Sequence, residues 1–364
     1  MLIEIGDDII EKATKNDDVA LNVLEQLSNA YRFGKHLIFI TYNQAKKIVS
    51  IQYLSRNSKS VYEYLTGKLS KLQAYREKIE FKAYVSFNAP ESENVLWINP
   101  TEHKSIELYE ETHLLAENLL DIDFFENVVT YYKIKHRLTK CSICYFPLQG
   151  GGNTTKDVYL KEIKLKQHFC LAIVDGDKKY PDDNFGTTSE ELNIIHEEEQ
   201  PFNCSFYRIA KLAEIENMIP ISIIKSYNKY TQKDILQQEI DLSFIDMKKG
   251  LSCCSMKDRN VYDYCLHLIG GESKRKMELC SKCLKTHNFN VPKEKKNKCG
   301  KKQNMLDGLG ADLMKTLLSD GKIKGLLKKV KINVLTNNQQ EEWENIGKLI
   351  CEWCCSGEPI RASL

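Results

Sequence analysis

The sequence predicts an α/β protein whose parallel sheet is flanked by helices, and three observations lead there. Short apolar runs end abruptly in acidic or glycine residues: Leu114–Ala116 before Glu117, Cys141–Leu148 before Gly150-Gly151-Gly152, and Phe169–Val174 before Asp175. Segments with helical spacing, Asp121–Tyr132 and Tyr159–Gln167, separate these runs. Strands alternating with helices build parallel sheets covered on both faces, and ligand sites in such sheets lie at the carboxyl ends of the strands. Glu117, the glycine run and Asp175 all fall at ends of that kind.

Taken in order, Asp8–Arg32 has helical spacing through Ile9, Ile10, Ala13, Val19, Leu21, Val23, Leu24 and Leu27. His36–Tyr42 and Ile48–Leu54 read as paired strands around a turn at Asn43, and Ser60–Lys78 reads as a helix. Phe81–Phe87 and Val95–Ile98 read as strands separated by the Asn88–Asn94 loop with its Pro90. Beyond the three central strands, the polar stretch Pro181–Gln200 reads as an exposed loop able to act as a lid. Phe206–Met218 reads as a helix with Ile209, Leu212, Ala213 and Ile215 on its apolar side. Met305–Leu318 and Glu341–Cys355 read as helices, and Lys293–Lys302 as an exposed loop. The chain divides into an α+β recognition or assembly segment over 1–105, an α/β domain over 106–230, and a basic, cysteine-rich region over 231–364.

Composition sets bounds on function. A chain of 364 residues with 42% hydrophobic and 28% charged residues is an ordinary globular protein of two or three domains. No apolar run nears the roughly 20 residues a membrane helix needs. The acidic start Met-Leu-Ile-Glu-Ile-Gly-Asp-Asp lacks the basic region of a signal peptide, so a cytoplasmic protein with no membrane partner is expected. Thirteen cysteines in that compartment are reduced or metal-bound rather than disulfide-linked. The net charge of +2 hides an asymmetry: Lys274–Ile332 carries +12 and the remainder −10. Such a segment binds a polyanion or is simply a solvated basic face. Lys274, Arg275, Lys276, Lys328 and Lys329 are the nucleic-acid-binding candidates.

The most telling motif is Leu-Ala-Ile-Val-Asp-Gly-Asp, residues 171–177. Two carboxylates one residue apart at a strand end repel, and a divalent cation removes the conflict. Hard oxygen ligands suit Mg²⁺ or Mn²⁺. The same three residues also make an ordinary surface turn.

The order Glu117, Asp121, glycine turn, Asp175-Gly176-Asp177, Glu214-Ile215-Glu216-Asn217 resembles a Toprim domain over roughly residues 110–225. The variant resembled is that of the overcoming-lysogenization-defect nucleases and stand-alone Toprim effectors of bacterial anti-phage systems. The resemblance implies a Rossmann-like Toprim fold and a metal-dependent nuclease of DNA or RNA. Glu117, Asp175 and Asp177 would be catalytic, and Glu117, Asp121, Asp175, Asp177 and Glu216 metal ligands. It also implies an antiviral toxin effector governed by a separate ATPase or regulatory protein. Two metals about 4 Å apart clamp the attacking and leaving oxygens of a phosphodiester. Two positions depart from the family pattern: no lysine aligns late in the domain, and Ile173 stands where many members carry a small polar residue. Gly150–Lys156 is not a phosphate loop, because the Gly-Lys-Ser/Thr ending is missing; it reads as a close-approach turn near the metals. A non-catalytic Toprim-like subunit for assembly or sensing, binding nucleic acid or a partner protein, is the alternative.

Three Cys-x-x-Cys pairs occur. Cys141 and Cys144 lie on a strand, point to opposite faces and belong to the core. Cys280 and Cys283, near His287 and Cys299 in a polar stretch, suit a structural Zn²⁺ site. Cys351 and Cys354 either complete that site or form a buried patch on a helix. Oligomeric state is not legible.

Overall fold

Four parallel strands open the chain in the computed structural model, which describes residues 1–90, 95–227, 236, 241–252, 259–268 and 304–360. The strands β1 (Leu2–Ile5), β2 (Leu37–Phe39), β3 (Lys82–Val85) and β4 (Val95–Ile98) lie in the order β2-β1-β3-β4. Every pairing is parallel, with Leu2 opposite Leu37, Ile3 opposite Ala83 and Lys82 opposite Val95. The first hundred residues are therefore a parallel α/β layer, not the α+β segment expected. The expected Asp8–Arg32 helix is two, α1 (Asp7–Thr14) and α2 (Asp18–Arg32), broken where Asn16 takes a φ of 64° and Asp17 caps α2 by accepting from Ala20 N at 2.9 Å.

The expected strand Ile48–Leu54 does not form. Helix α3 (Tyr42–Ser50) takes its first three residues, started by a capping box in which Thr41 and Gln44 satisfy each other's backbone N–H groups. That signal was present in the sequence; the β-branched residues Ile48 and Val49 masked it. The Ser60–Lys78 stretch is likewise split at Gly67 into α4 (Arg56–Thr66) and α5 (Leu69–Arg76).

The central sheet has the expected α/β character. Its strands are β5 (Thr112–Ala116), β7 (Tyr145–Gln149), β8 (Cys170–Val174) and β9 (Cys204–Arg208), ordered β7-β5-β8-β9. β5 pairs in parallel with β7 and with β8, bringing Leu115 opposite both Leu148 and Ala172. Helices α6 (Leu119–Lys135), α7 (Thr155–Leu165) and α8 (Thr187–Glu199) fall between the strands in the chain. The expected strand Cys141–Leu148 divides. β6 (Ser142–Ile143) pairs antiparallel with Cys355–Ser356, and Cys144 N donates to Cys354 O at 2.9 Å. β7 then runs along the sheet edge, where Pro147 costs no ladder hydrogen bond. All five residues of β8 are buried, as a strand covered on both faces requires.

The polar stretch read as a lid is α8. Its Leu192 is fully buried in one cluster with Tyr159, Ile163 and Val174, so packing of a single apolar stripe sustains a helix whose remaining residues are mostly polar. The helix Asn337–Cys354 packs Trp343 edge-on against Phe124 and Tyr131 of α6, at 5.7 and 5.4 Å between centroids.

The chain packs as two compact units, one of Met1–Val174, Glu190–Tyr207 and Trp343–Leu364, the other of Asp175–Ser189 and Arg208–Glu342. In the second, Gly250–Ser252 pairs antiparallel with Asn304–Asp307, and the helix Leu313–Ser319 follows. The expected helix Met305–Leu318 is broken there: a Cβ on Gly308 would meet Lys248 O at 2.3 Å, and Gly310 has a φ of 101°. Among the described residues no helix is long and apolar enough to cross a membrane.

Candidate functional site

The Asp175-Gly176-Asp177 turn is laid directly against the backbone of residues 209–215. Asp175 Oδ1 accepts from Ile215 N at 2.7 Å, and Asp177 N donates to Ala213 O at 2.8 Å. A Cβ at Gly176 would stand 2.0 Å from Ile209 O, so the approach is open only to glycine. Gly176 O in turn accepts from Gly186 N at 2.8 Å, and Asp177 takes the left-handed conformation at φ 52°.

The opposing segment is not the helix expected over Phe206–Met218. Strand β9 ends at Arg208, an irregular stretch follows, and only Ile215–Met218 forms a single 3₁₀ turn. Ile209, Leu212, Ala213 and Ile215 are buried as their spacing suggested, but long-range acceptors satisfy the backbone. Glu342, fully buried, accepts from Ala210 N at 2.8 Å and Lys211 N at 2.7 Å. Asn217 accepts from Glu214 N at 3.0 Å and donates to Leu242 O and Ile245 O at 2.6 and 2.9 Å. Glu342→Gln keeps one acceptor but loses the charge assistance, and is expected to lower stability by about 1 kcal/mol in urea unfolding.

This irregular turn changes the geometry of the acidic pair. Residues two apart on an α-helix face different ways, and the resemblance assigns a metal to Glu216, beside Asn217, rather than to Glu214. Here Glu214 is the extended residue that caps the 3₁₀ turn, and both carboxylates reach one ammonium. Lys248 Nζ lies 2.9 Å from Glu214 Oε2 and 3.1 Å from Glu216 Oε1. Loss of water pushes the Glu214 pKa up to about 7 despite Lys248. Burial works against the Lys248 charge, yet Glu216 and Glu214 raise its pKa above the ordinary lysine value. Desolvation likewise raises the Asp177 pKa, opposed by Lys248 and Lys249 and reinforced by Asp246 and Glu216. Asp175, Asp177 and Glu216 thus lie in one compact unit, with Glu214 and with Lys248, whose ion pairs to both glutamates the motif pattern did not reveal. Lys248 lies 32 residues beyond Glu216 on a loop held by Gly310 N donating to Lys248 O at 3.0 Å, so no local spacing announces it.

Glu117 and Asp121 lie in the other unit. Glu117 directly follows β5, and Asp121 closes the first turn of α6 by accepting from Asn118 N at 2.9 Å. The glycine run is a close-approach turn: Gly150 N donates to Ala116 O at 2.7 Å and Gly151 N to Glu117 O at 2.9 Å. A Cβ on Gly150 would stand 2.2 Å from Thr155 Oγ1.

Among the described cysteines, Cys141, Cys351 and Cys354 are buried free thiols and Cys144 is half-buried. Lys328 and Lys329 are exposed just past the helix Gly321–Leu327. Cys280, Cys283, His287, Cys299, Lys274, Arg275 and Lys276 lie outside the described residues. Among the described residues, one set of three metal-ligand atoms from His, Cys, Asp or Glu lies within 4.8 Å of one another, and it is His113, Glu162 and His168, not the acidic residues around Lys248.

No family model, curated protein or solved structure matches this chain.

Proposed function

We propose that this protein is a metal-dependent nuclease that hydrolyses phosphodiester bonds in DNA or RNA, and that it serves as an anti-phage effector under a separate ATPase or regulatory partner. The observation that supports this best is the docking of the Asp175-Gly176-Asp177 turn on the backbone of 209–215, beside Glu214 and Glu216 with their shared Lys248. The carboxylate oxygens are the hard donors that Mg²⁺ and Mn²⁺ prefer. Glu216 Oε2 is buried without a hydrogen-bond partner among the described residues, an acceptor that a cation would satisfy. Asp175, Asp177 and Glu216 are the ligands proposed; Glu117 and Asp121 join them only through the Toprim resemblance. A divalent cation bound there would lower the pKa of a water and offset charge on the phosphodiester.

The chain's own residues have distinct parts in this reading. Lys248 orients Glu214 and Glu216 and supplies a positive charge for a phosphate oxygen, the part of the late lysine that the resemblance calls for. Glu214, with its pKa near 7, is poised to hold or release a proton at neutral pH. Gly176 and Glu342 position the two backbone segments that carry the acids. Lys328, Lys329 and the Lys274–Lys276 run would follow a phosphate backbone, with binding that weakens steeply as salt rises.

Incubation of the full chain with plasmid and with total RNA, in Mg²⁺, Mn²⁺ or EDTA, tests the proposal. Metal-dependent degradation that EDTA stops is expected, and degradation of neither polymer overturns it. Asp175→Asn with Asp177→Asn keeps an acceptor for Ile215 N and should abolish cleavage with an unchanged circular dichroism spectrum; undiminished cleavage would count against these ligands. The second reading, a non-catalytic assembly or sensing subunit, draws on the Lys248 ion pairs, which already offset the two glutamates. It predicts partner or nucleic-acid binding that is indifferent to metal.

A further inference from the structure

A second polar cluster lies at the amino end of the central sheet, at the opposite end of β5 from Glu117. His113 is the second residue of β5, Glu162 lies in the last turn of α7, and His168 is in the link from α7 to β8. Glu162 Oε2 is their common vertex, 3.0 Å from His113 Nδ1 and 3.9 Å from His168 Nδ1. The two imidazoles stack with centroids 4.1 Å apart. The side chains are only 14%, 10% and 21% exposed for His113, Glu162 and His168.

A hydrogen-bonded ion pair does not account for this arrangement. His113 and Glu162 satisfy one another, but His168 stands 3.9 Å from Glu162 and 3.8 Å from Glu107 Oε2, beyond hydrogen-bond reach of both carboxylates. Two imidazoles and a carboxylate whose ligand atoms lie within 4.8 Å of one another supply the His₂Glu donor set of zinc, with a fourth position for water. Tetrahedral bonds of about 2.1 Å place ligand atoms about 3.4 Å apart, so the set, within 4.8 Å, needs a closure of at most about 1.4 Å.

The backbone under the cluster is fixed. His113 N donates to Phe169 O at 2.7 Å, and Asn203 Nδ2 bridges Glu162 O and His168 O at 3.3 and 2.9 Å. Glu107 N donates to Gln167 O at 2.8 Å. Glu107 Oε2 lies 3.8 Å from Nε2 of His168, on the side from which an outer carboxylate would orient a ligating histidine once drawn into hydrogen-bond range.

We propose that His113, Glu162 and His168 bind Zn²⁺, independently of the acidic residues around Lys248. None of the three takes part in the nuclease reading, so either proposal stands if the other fails.

The experiment uses the full chain freed of metal with a chelator and carrying Cys280→Ser and Cys283→Ser, which removes the other zinc candidates. Zn²⁺ titration against a chromophoric chelator should show one equivalent bound, and Co²⁺ should give visible ligand-field bands without a thiolate charge-transfer band. His113→Gln with His168→Gln, or Glu162→Gln, should weaken Zn²⁺ binding about 100-fold or more. Absence of both the zinc equivalent and the cobalt bands in the Cys-substituted parent overturns the site whether or not the histidine variant folds. Unchanged affinity in a folded histidine variant overturns the ligand assignment.

Discussion

Lys248→Met is expected to destabilise the fold by about 3 kcal/mol at pH 8, because it leaves two buried carboxylates without their counter-charge. Glu214 and Glu216 have side chains 12% and 8% exposed, and both ion-pair to this one ammonium. The sign of the pH dependence follows from Glu214. Its folded pKa, about 7, lies above the ordinary 4.5, so the folded state holds the proton more tightly than the unfolded chain. The stability this contributes is fully present below pH 4.5 and is lost as pH rises through about 7. Lys248 has the opposite influence on that carboxyl, lowering its pKa. Without Lys248, protonation becomes the remaining way to relieve the buried charge, so the deficit should shrink on acidification. Urea unfolding of both proteins at pH 5 and pH 8 checks this; a deficit that does not depend on pH would sink the ion-pair account. Glu214→Gln in the Lys248→Met background should restore part of the loss at pH 8.

Gly176→Ala should be comparably damaging, about 3 kcal/mol, through sterics alone. The added methyl would stand 2.0 Å from Ile209 O and 3.4 Å from Leu212 O. These are backbone atoms, and Glu342 holds the next two amides, of Ala210 and Lys211, at 2.8 and 2.7 Å. The obstructing carbonyl therefore cannot swing aside as a flexible side-chain tip would. Thermal melting should show a clear drop in midpoint, and a wild-type midpoint would refute the close approach. Because Gly176 joins Asp175 to Asp177, the same variant should also separate the aspartates from Glu216, and any metal-dependent cleavage should fall with the melting temperature.

β5 and β8 were legible because the apolar runs Leu114–Ala116 and Cys170–Val174 stop at acids, whereas β9 was hidden in a segment with helical apolar spacing. The helices α6 and the Asn337–Cys354 helix were legible from their apolar spacing. Errors arose where a segment's local pattern was overruled by distant partners. Residues 206–218 have helical apolar spacing, yet Asp175, Glu342 and Asn217 take their backbone groups out of an i to i−4 ladder. α8 was missed for the converse reason: its sequence is polar, and burial of Leu192 against Tyr159 and Val174 sustains it.

The same division holds for the chemistry. The sequence by itself determined the α/β alternation and singled out Asp175, Asp177 and Glu216, because strand ends, glycine turns and paired acids are local patterns. Only the tertiary structure decided that Lys248 pairs with Glu216 and Glu214, that Gly176 lies against Ile209 O, and that His113 meets His168 beside Glu162. Those relations depend on chain segments 32 to 55 residues apart, and their closeness is set by sheet register and backbone hydrogen bonds that no spacing rule encodes.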